Sequence, residues 1–490
     1  MKRLIVVGGG IAGLTTALSV RDRAEAAGEP VEVVLLEASP RVGGNIRTDR
    51  EDGYIVEWGP NGYLDNVATT PELIRRLRLE GELQQADRSA ARRFLYRNQR
   101  LHELPGGPLS FLFNPVLSVR GRLGVLGEPF ASGPPDGVDE TVYEFARRRI
   151  GEEAARVLVD AMVSGVFAGN ARELSLASAF PKMAAMETEH GSLVKAMIAK
   201  MRARRAAKRR GDLDALSRPG GPAGPGGTLT SFRDGLDVIT GRLHEELGSV
   251  VHTEQRVTRL RAASPRPASE SARAWRVELA GGKYFDGDAV VLALPAPKTA
   301  PLLRELDDQL SEHIGAIRTA GLAVVALGYD QSDLERPVNG FGFLVPRGEG
   351  PRILGCLWDS SIFPGRAATG RVLMRAMIGG AHHPEAVLLD DDELLRVVRA
   401  DLQTVMGLRA APVFERIYRH PLGISQYVVG HAAQLARIRG HLERWQGLWV
   451  TGSSYDGVSM NACIESATSL ASEVMSFLAR SRRTLQGVTA

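Results

Sequence analysis

Four consecutive apolar residues, Leu4-Ile5-Val6-Val7, stop at Gly8-Gly9-Gly10 and are followed by Ile11-Ala12-Gly13 and helix formers through Leu18. A short unbroken apolar run before a glycine turn predicts a strand buried on both faces. The change of period after it predicts a helix. A second run, residues 31–36, ends at Glu37. Near the other end, Leu448-Trp449-Val450-Thr451-Gly452 reads as a short buried strand, followed by a loop and a helix from about residue 461 to 478. Between these ends, residues 84–110 hold strand-like pieces, among them Arg93-Phe94-Leu95-Tyr96. Residues 141–201 are mostly helical in pattern, and Met183, Met186, Leu193, Val194, Met197, Ile198 and Met201 are spaced for one apolar face. A basic run, Arg202, Arg204, Arg205, Lys208, Arg209 and Arg210, follows. A Pro/Gly-rich linker over 217–227 breaks the helix. Strands are predicted at 250–252, 256–258 and within 275–294, then a mixture of strands and helices from 296 to about 430. The stretch 261–273 reads as a polar, Pro-containing loop.

The glycines give the first unit its chemistry. Gly8 permits a tight turn, Gly10 lets backbone approach a pyrophosphate, and Gly13 lets the helix pack closely on the strand. Phosphates then sit at the helix N-terminus, where unpaired N–H groups and the dipole favour negative charge. That arrangement sets Gly8, Gly9, Gly10, Ile11, Ala12 and Gly13 around a dinucleotide. Glu37 ends the second strand, where a carboxylate accepts hydrogen bonds from ribose hydroxyls.

Composition narrows the setting. The 490 residues suffice for two or three domains. Two cysteines, Cys356 and Cys463, exclude a disulfide framework. No apolar stretch reaches the ~18 residues that span a bilayer. No signal peptide is expected, because the first apolar run leads into glycines the site needs. The charge of +4 is local, in the basic run above all. No nucleic-acid module is recognisable, so no nucleic-acid partner is expected.

The residues after Glu37 choose the dinucleotide. They read Ala38-Ser39-Pro40-Arg41-Val42-Gly43-Gly44-Asn45-Ile46-Arg47-Thr48. Arg41 places a cation near the pyrophosphate, and Gly43 and Gly44 offer a second close backbone approach; an ordinary NAD site needs no such extension. With Glu57-Trp58-Gly59-Pro60-Asn61-Gly62 behind it, this string resembles the signature of the superfamily of FAD-dependent amine oxidases, phytoene desaturases and protoporphyrinogen oxidases. The resemblance implies non-covalent FAD, with Ala38, Gly59, Pro60, Asn61 and Val257 beside it. The C-terminal helix would aim N–H groups at the flavin's pyrimidine edge, which brings Gly452, Asp456, Val458 and Asn461 to the cofactor. Both chain ends then clamp the flavin. The fold class is α/β, with a discontinuous Rossmann-like FAD-binding domain (1–75, 228–295 and 435–480). A mixed α+β substrate domain (76–110 and 296–434) and a mostly helical insertion (111–216) complete it.

Three further motifs narrow the resemblance. They are Ser164-Gly165-Val166-Phe167-Ala168-Gly169-Asn170, Gly340-Phe341-Gly342-Phe343-Leu344-Val345-Pro346, and Gly452-Ser453-Ser454-Tyr455-Asp456-Gly457-Val458 with Asn461-Ala462-Cys463. They resemble the oxygen-dependent protoporphyrinogen oxidase family. That implies oxidation of protoporphyrinogen IX to protoporphyrin IX in haem biosynthesis, six electrons in all, with O2 as acceptor and H2O2 released. A tetrapyrrole needs an apolar slot with a carboxylate-binding end. Phe341, Leu344 and Phe363 are candidate walls. Arg93 and Asn61 stand where the resemblance expects propionate contacts, and Gly165 would bring a carbonyl to the pyrrole N–H groups. Arg92 would face away from Arg93 on a strand. No general base and no metal site are assigned.

A carotenoid desaturase shares the cofactor motifs and the need for an apolar slot. An amine oxidase often carries a lysine near the flavin, and Gly321-Leu322-Ala323-Val324-Val325-Ala326-Leu327 has none. A non-catalytic escort protein would usually have lost the glycine turn. The expected setting is cytoplasmic. The apolar face and basic run are expected to dock on an anionic membrane without spanning it, and a homodimer is compatible with the chain.

Overall fold

The computed structural model describes residues 1–105, 114–133, 137–210, 227–262 and 274–486. One layer is a five-stranded parallel sheet in the order Val251–His252, Val31–Leu36, Lys2–Val7, Ala289–Leu292, Leu448–Val450. Leu4 and Val6 point to the side of helices Ile11–Ala26 and Met460–Gln486. Ile5 and Val7 point to the other side, which a three-stranded antiparallel sheet (Val257–Ala262, Trp275–Leu279, Tyr284–Gly287) covers. From Leu4 to Val7 the strand is buried on both faces, which is why these four residues read as an unbroken apolar run.

The helices that follow residue 296, expected with the substrate domain, share a hydrophobic cluster with the first layer. Helices Ala296–Leu303 and Asp308–Gly315 bury Ala296, Leu303, Leu310 and Ile314 in the cluster that holds Ile5 and Val7, the first helix packing on strand Val257–Ala262. The return to this layer starts with helix His431–Leu442, which adds Ile438 to the same cluster. Leu77 and Leu79, expected in the second domain, pack here too. Of the expected linker, residues 217–226 lie outside the described residues, as do 263–273 of the polar loop.

The second layer is a seven-stranded sheet in the order Phe414–Ser425, Thr319–Asp330, Arg371–Gly379, Ile353–Leu357, Gly342–Leu344, Arg93–Arg97, Arg100–Glu103. All neighbours are antiparallel except Gly342–Leu344 and Arg93–Arg97. Alternation along Thr319–Asp330 divides its side chains. Ala323, Val325 and Leu327 pack beneath helix Asp391–Met406 through Leu394, Val398 and Leu402. Leu322, Val324 and Ala326 face the opposite way, toward Tyr54 and Val56.

The helical region runs through Val119–Leu126, Val142–Ile150, Asp160–Phe167, Pro181–His190 and Leu193–Arg210. Thr141 and Glu144 form a capping box at the second of these. Glu128, buried and paired with Arg149, accepts from the Ser192 hydroxyl (2.6 Å) and from the N–H groups of Leu193 (2.8 Å) and Val194 (3.2 Å). It thereby satisfies the open N-terminus of the last helix. The expected apolar face of that helix is present and turned outward: Val194, Met197, Ile198 and Met201 are exposed. Among the described residues no helix is long and apolar enough to cross a membrane.

Candidate active site

One continuous cavity of about 1280 Å³ runs from the C-terminal ends of the parallel strands to the cavity-facing side of the seven-stranded sheet. A single drug-sized ligand fills roughly 300–1,000 Å³, so there is room for a cofactor and a substrate end to end.

The nucleotide end is built from backbone. Gly8 has φ +108°, and a Cβ there would lie 2.5 Å from the Ala293 carbonyl oxygen, so only glycine fits. Gly10 is different: its backbone is ordinary (φ −73°, ψ 175°), and a Cβ would meet nothing within 4 Å. The space it would enter is the cavity, where Ile11 and Ala12 open the helix. Glu37 lines the same end and accepts from the Gly9 N–H (2.6 Å), the Ser39 N–H (2.8 Å) and the Ser39 hydroxyl (2.7 Å). Those bonds fix the carboxylate rather than leave it to swing.

Most of the expected cofactor residues line this cavity: Gly8, Gly10, Ile11, Ala12, Glu37, Ala38, Gly43, Gly44, Gly59, Pro60, Asn61, Val257, Gly452 and Val458. Gly9 and Gly13 stand behind it. Gly13 lets the helix rest on the turn, since a Cβ there would lie 1.9 Å from the Gly8 carbonyl oxygen.

Three expected cofactor residues, Arg41, Asp456 and Asn461, do not line the cavity. Arg41 folds back on its own loop, donating to the carbonyls of Val42 (2.9 Å) and Gly44 (3.0 Å), so it shapes the second glycine turn instead of reaching into the cavity. Asp456 faces a separate groove, where it accepts from Ser466 (3.0 Å) and lies 3.7 Å from Arg439. Asn461 is buried between the Leu64 carbonyl (2.7 Å) and the Thr70 hydroxyl (2.8 Å), pinning the last helix to strand Tyr63–Leu64 and helix Thr69–Arg76.

At the far end the walls are apolar. Leu95, Leu117, Leu158, Met162, Val166 and Leu344 line it, with Phe341 and Gly165. Gly165 permits the helix Asp160–Phe167 to approach the strand Gly342–Leu344, because a Cβ would lie 2.7 Å from Leu344 Cδ2. Arg93 lines the cavity with its guanidinium 5.0 Å from the Phe341 ring centroid, and burial lowers its pKa. Arg92 turns to the opposite, solvent-exposed side and pairs with Glu103 (2.9 Å). Asn61 lines the cavity, and neither polar atom of its side chain has a partner within the protein. Phe363, expected as a wall, is instead fully buried in a cluster with Ala86, Ala90, Leu229 and Ile362.

A buried charge cluster supports the turn at 57–61. Arg375 pairs with both oxygens of Asp359 (2.9 Å each) and donates to the carbonyls of Glu57 (2.6 Å) and Gly59 (3.1 Å). The Glu57 carboxylate accepts from the Leu236 N–H (2.8 Å) and Thr48 hydroxyl (2.7 Å), and burial raises its pKa against the pull of Arg366. None of this cluster was legible in the sequence, and neither was His420, which lines the cavity and bonds the Trp58 carbonyl through Nε2 (2.8 Å).

A parallel dinucleotide layer joined by one cavity to a mixed substrate-side sheet defines a cofactor-dependent oxidoreductase. Residues 11–475 match the family described as flavin containing amine oxidoreductase, and the chain belongs to that family. It is 33% identical over 494 residues to the protoporphyrinogen oxidase of Bos taurus, covering 97% of this chain and 98% of the relative. To the coproporphyrinogen III oxidase of Bacillus subtilis (strain 168) it is 29% identical over 487 residues, covering 97% and 98%. A crystal structure from Exiguobacterium sp. 255-15, provisionally named a protoporphyrinogen oxidase, superposes with a TM-score of 0.77 at 26% identity, covering 96% of this chain and 98% of that one. FAD is accordingly the cofactor. The residues present fit it: the open cradle at Gly10, the oriented Glu37 and the unpartnered Asn61 amide face the space such a group needs.

Proposed function

We propose that this enzyme oxidises protoporphyrinogen IX to protoporphyrin IX in haem biosynthesis, with O2 as final acceptor and H2O2 released. The observation that carries the reading is the apolar far end of the cavity with a half-buried guanidinium, Arg93, on its wall. A porphyrinogen is a broad apolar ring with propionates on its rim. Apolar walls bind the ring by area removed from water, and a guanidinium fork matches a carboxylate. When bound, FAD supplies the two-electron acceptor for each oxidation. The protein's part is to hold the ring, through Leu344, Phe341 and the close helix at Gly165, and to keep water out. Coproporphyrinogen III is the second reading. It is favoured by the name of the Bacillus subtilis relative, which aligns over nearly both whole chains. That ring carries four propionates and no vinyls, so it would need more polar contacts than Arg93 and Asn61. Supplying the flavin-loaded enzyme with each porphyrinogen and comparing kcat/KM from porphyrin fluorescence tests this. Higher kcat/KM for protoporphyrinogen IX supports the first reading; a tenfold preference for the four-propionate ring replaces it with the second.

We further propose peripheral docking on an anionic cytoplasmic membrane face. The exposed Val194, Met197, Ile198 and Met201 supply apolar burial, and Arg202, Arg205 and Arg209 lie on the same helix. Phe130, 90% exposed, sits on the turn packed against that helix. Sedimentation with anionic vesicles should be strong at low salt and fall as charge is screened over about 8 Å at physiological ionic strength. Absence of recruitment at low salt would refute docking.

A further inference from the structure

His420 is the one histidine on the cavity wall among the described residues. It sits on strand Phe414–Ser425, directly across from Leu322, which lines the cavity beside it. Its Nε2 lies 2.8 Å from the Trp58 carbonyl. A carbonyl can only accept, so Nε2 carries the proton and Nδ1 carries a lone pair. Nδ1 has no hydrogen-bond partner within the protein. The side chain is thus a neutral imidazole held by one nitrogen at the turn the flavin faces, with its basic nitrogen free for a ligand.

Resting on the porphyrinogen reading, we infer that His420 is a catalytic residue: its Nδ1 accepts the pyrrole proton released during each oxidation. Each step removes two hydrogens from the ring. One meso C–H bond breaks, and its hydrogen leaves with the electron pair to the flavin-class oxidant. One pyrrole N–H bond breaks, and its proton is left over. His420 Nδ1 takes that proton, becomes imidazolium, and returns it to water before the next step. Electrons and atoms balance without another reactant.

The surroundings keep the imidazole neutral beforehand. Burial lowers its pKa, the Trp58 carbonyl opposes this, and Arg375, two strands away in the same sheet, lowers it further. No other charge competes closely. Arg375 is bound by Asp359, and the Glu57 carboxylate is turned to Leu236 and Thr48. Tyr418 on the same strand stacks on Trp58, and burial raises its pKa, so it stays neutral. Leu322, opposite His420 on the one strand paired with this edge strand, is uncharged. A neutral imidazole with one fixed N–H is the form a general base requires, and such groups contribute roughly 10²–10⁴-fold.

A structural role is the alternative, since the bond to Trp58 alone could explain the residue. His420→Gln separates the two, because its amide N–H can still donate to Trp58 while the base is lost. We expect flavin content and KM close to the parent. The anaerobic rate of flavin bleaching by porphyrinogen should fall about 10²-fold or more, and its rise with pH should disappear. His420→Ala should lose activity similarly and regain part of it with added imidazole. Independently of turnover, ¹⁵N NMR of histidine-labelled, flavin-loaded parent protein should show an unprotonated Nδ1 at neutral pH. A parent-like rate and pH profile in His420→Gln, or a protonated Nδ1, overturns the inference while leaving the reaction intact. A parent enzyme that oxidises no porphyrinogen overturns the reaction and this inference together.

Discussion

Replacing Arg375 with methionine tests whether the buried charges at 57–61 hold the flavin-facing turn or merely fill space. Arg375 is 1% exposed, and methionine has a similar length without donors. The change removes two charge-assisted bonds to Asp359 and the bonds to the Glu57 and Gly59 carbonyls. Breaking a buried pair from one side costs about 3–5 kcal/mol, because the other charge stays buried. The Glu57 carbonyl, left without its donor, adds about 1–3 kcal/mol, whereas Gly59 lines the cavity and can take water. A loss of about 4–8 kcal/mol is expected, a large part of the 5–15 kcal/mol typical of a domain. Asp359→Asn in the same chain should recover much of it by removing the orphaned charge. The turn stays unsupported even then, so the double variant should regain thermal stability but still release flavin faster than the parent. The assay is the thermal midpoint of the flavin-loaded protein together with the rate of flavin loss on dilution. A single variant within about 1 kcal/mol of the parent, or a double variant that holds flavin normally, would refute the reasoning.

Gly10→Val should fold, because the Gly10 backbone suits any residue and its Cβ would touch no protein atom, but it should lose flavin, because the side chain fills the cradle. Glu37→Ala should weaken flavin retention less; equal retention in Gly10→Val and the parent would show that the cofactor lies elsewhere. Arg93→Ala should raise KM for porphyrinogen about 10–150-fold with an unchanged flavin spectrum, the equivalent of roughly 1.5–3 kcal/mol for a shielded guanidinium–carboxylate contact. Unaltered kinetics would exclude that contact. Burial acts to raise the Glu153 pKa, but the Ser118 hydroxyl and N–H and the Arg97 guanidinium outweigh it and pull the pKa down to about 2. Because this pKa is depressed in the folded state, its stabilisation is present above the unfolded value near 4.5 and lost as pH falls toward about 2. Glu153→Gln should therefore cost about 1–2 kcal/mol at neutral pH, allowing for partial solvent screening. The difference from the parent should vanish near pH 2; a difference independent of pH would exclude the linkage.

The nucleotide end was legible because its signals are local. The run at 4–7, the glycine spacing and Glu37 each follow from one strand and one turn, and the structure assembles them as that spacing requires. Residues 321–327 were legible as an apolar strand, but the cavity-lining members among them were not. Register decides them, and register is set by pairing with residues nearly a hundred positions later. The same pairing hid His420. Arg41, Asp456 and Asn461 lie in loops or at a helix start, where a side chain's direction follows from tertiary contacts rather than from neighbours in sequence. Helices at 296–315 carry an apolar face but nothing that says which layer it meets, so their packing with the first layer was not legible. The outward apolar face at 194–201 was legible as a helical stripe, while its exposure was not, since a stripe of that kind more often faces a core.

The central claim is that a porphyrinogen reaches the flavin through the cavity lined by Gly10 and Arg93. Anaerobic mixing of the flavin-loaded protein with protoporphyrinogen IX, in parallel with coproporphyrinogen III, tests it in one turnover. The account predicts that the oxidised flavin absorbance bleaches as porphyrin appears, that admitting O2 restores it with H2O2, and that Arg93→Ala shifts the concentration dependence. Flavin that stays oxidised with both porphyrinogens, yet bleaches with an amine or a carotenoid precursor, would contradict it.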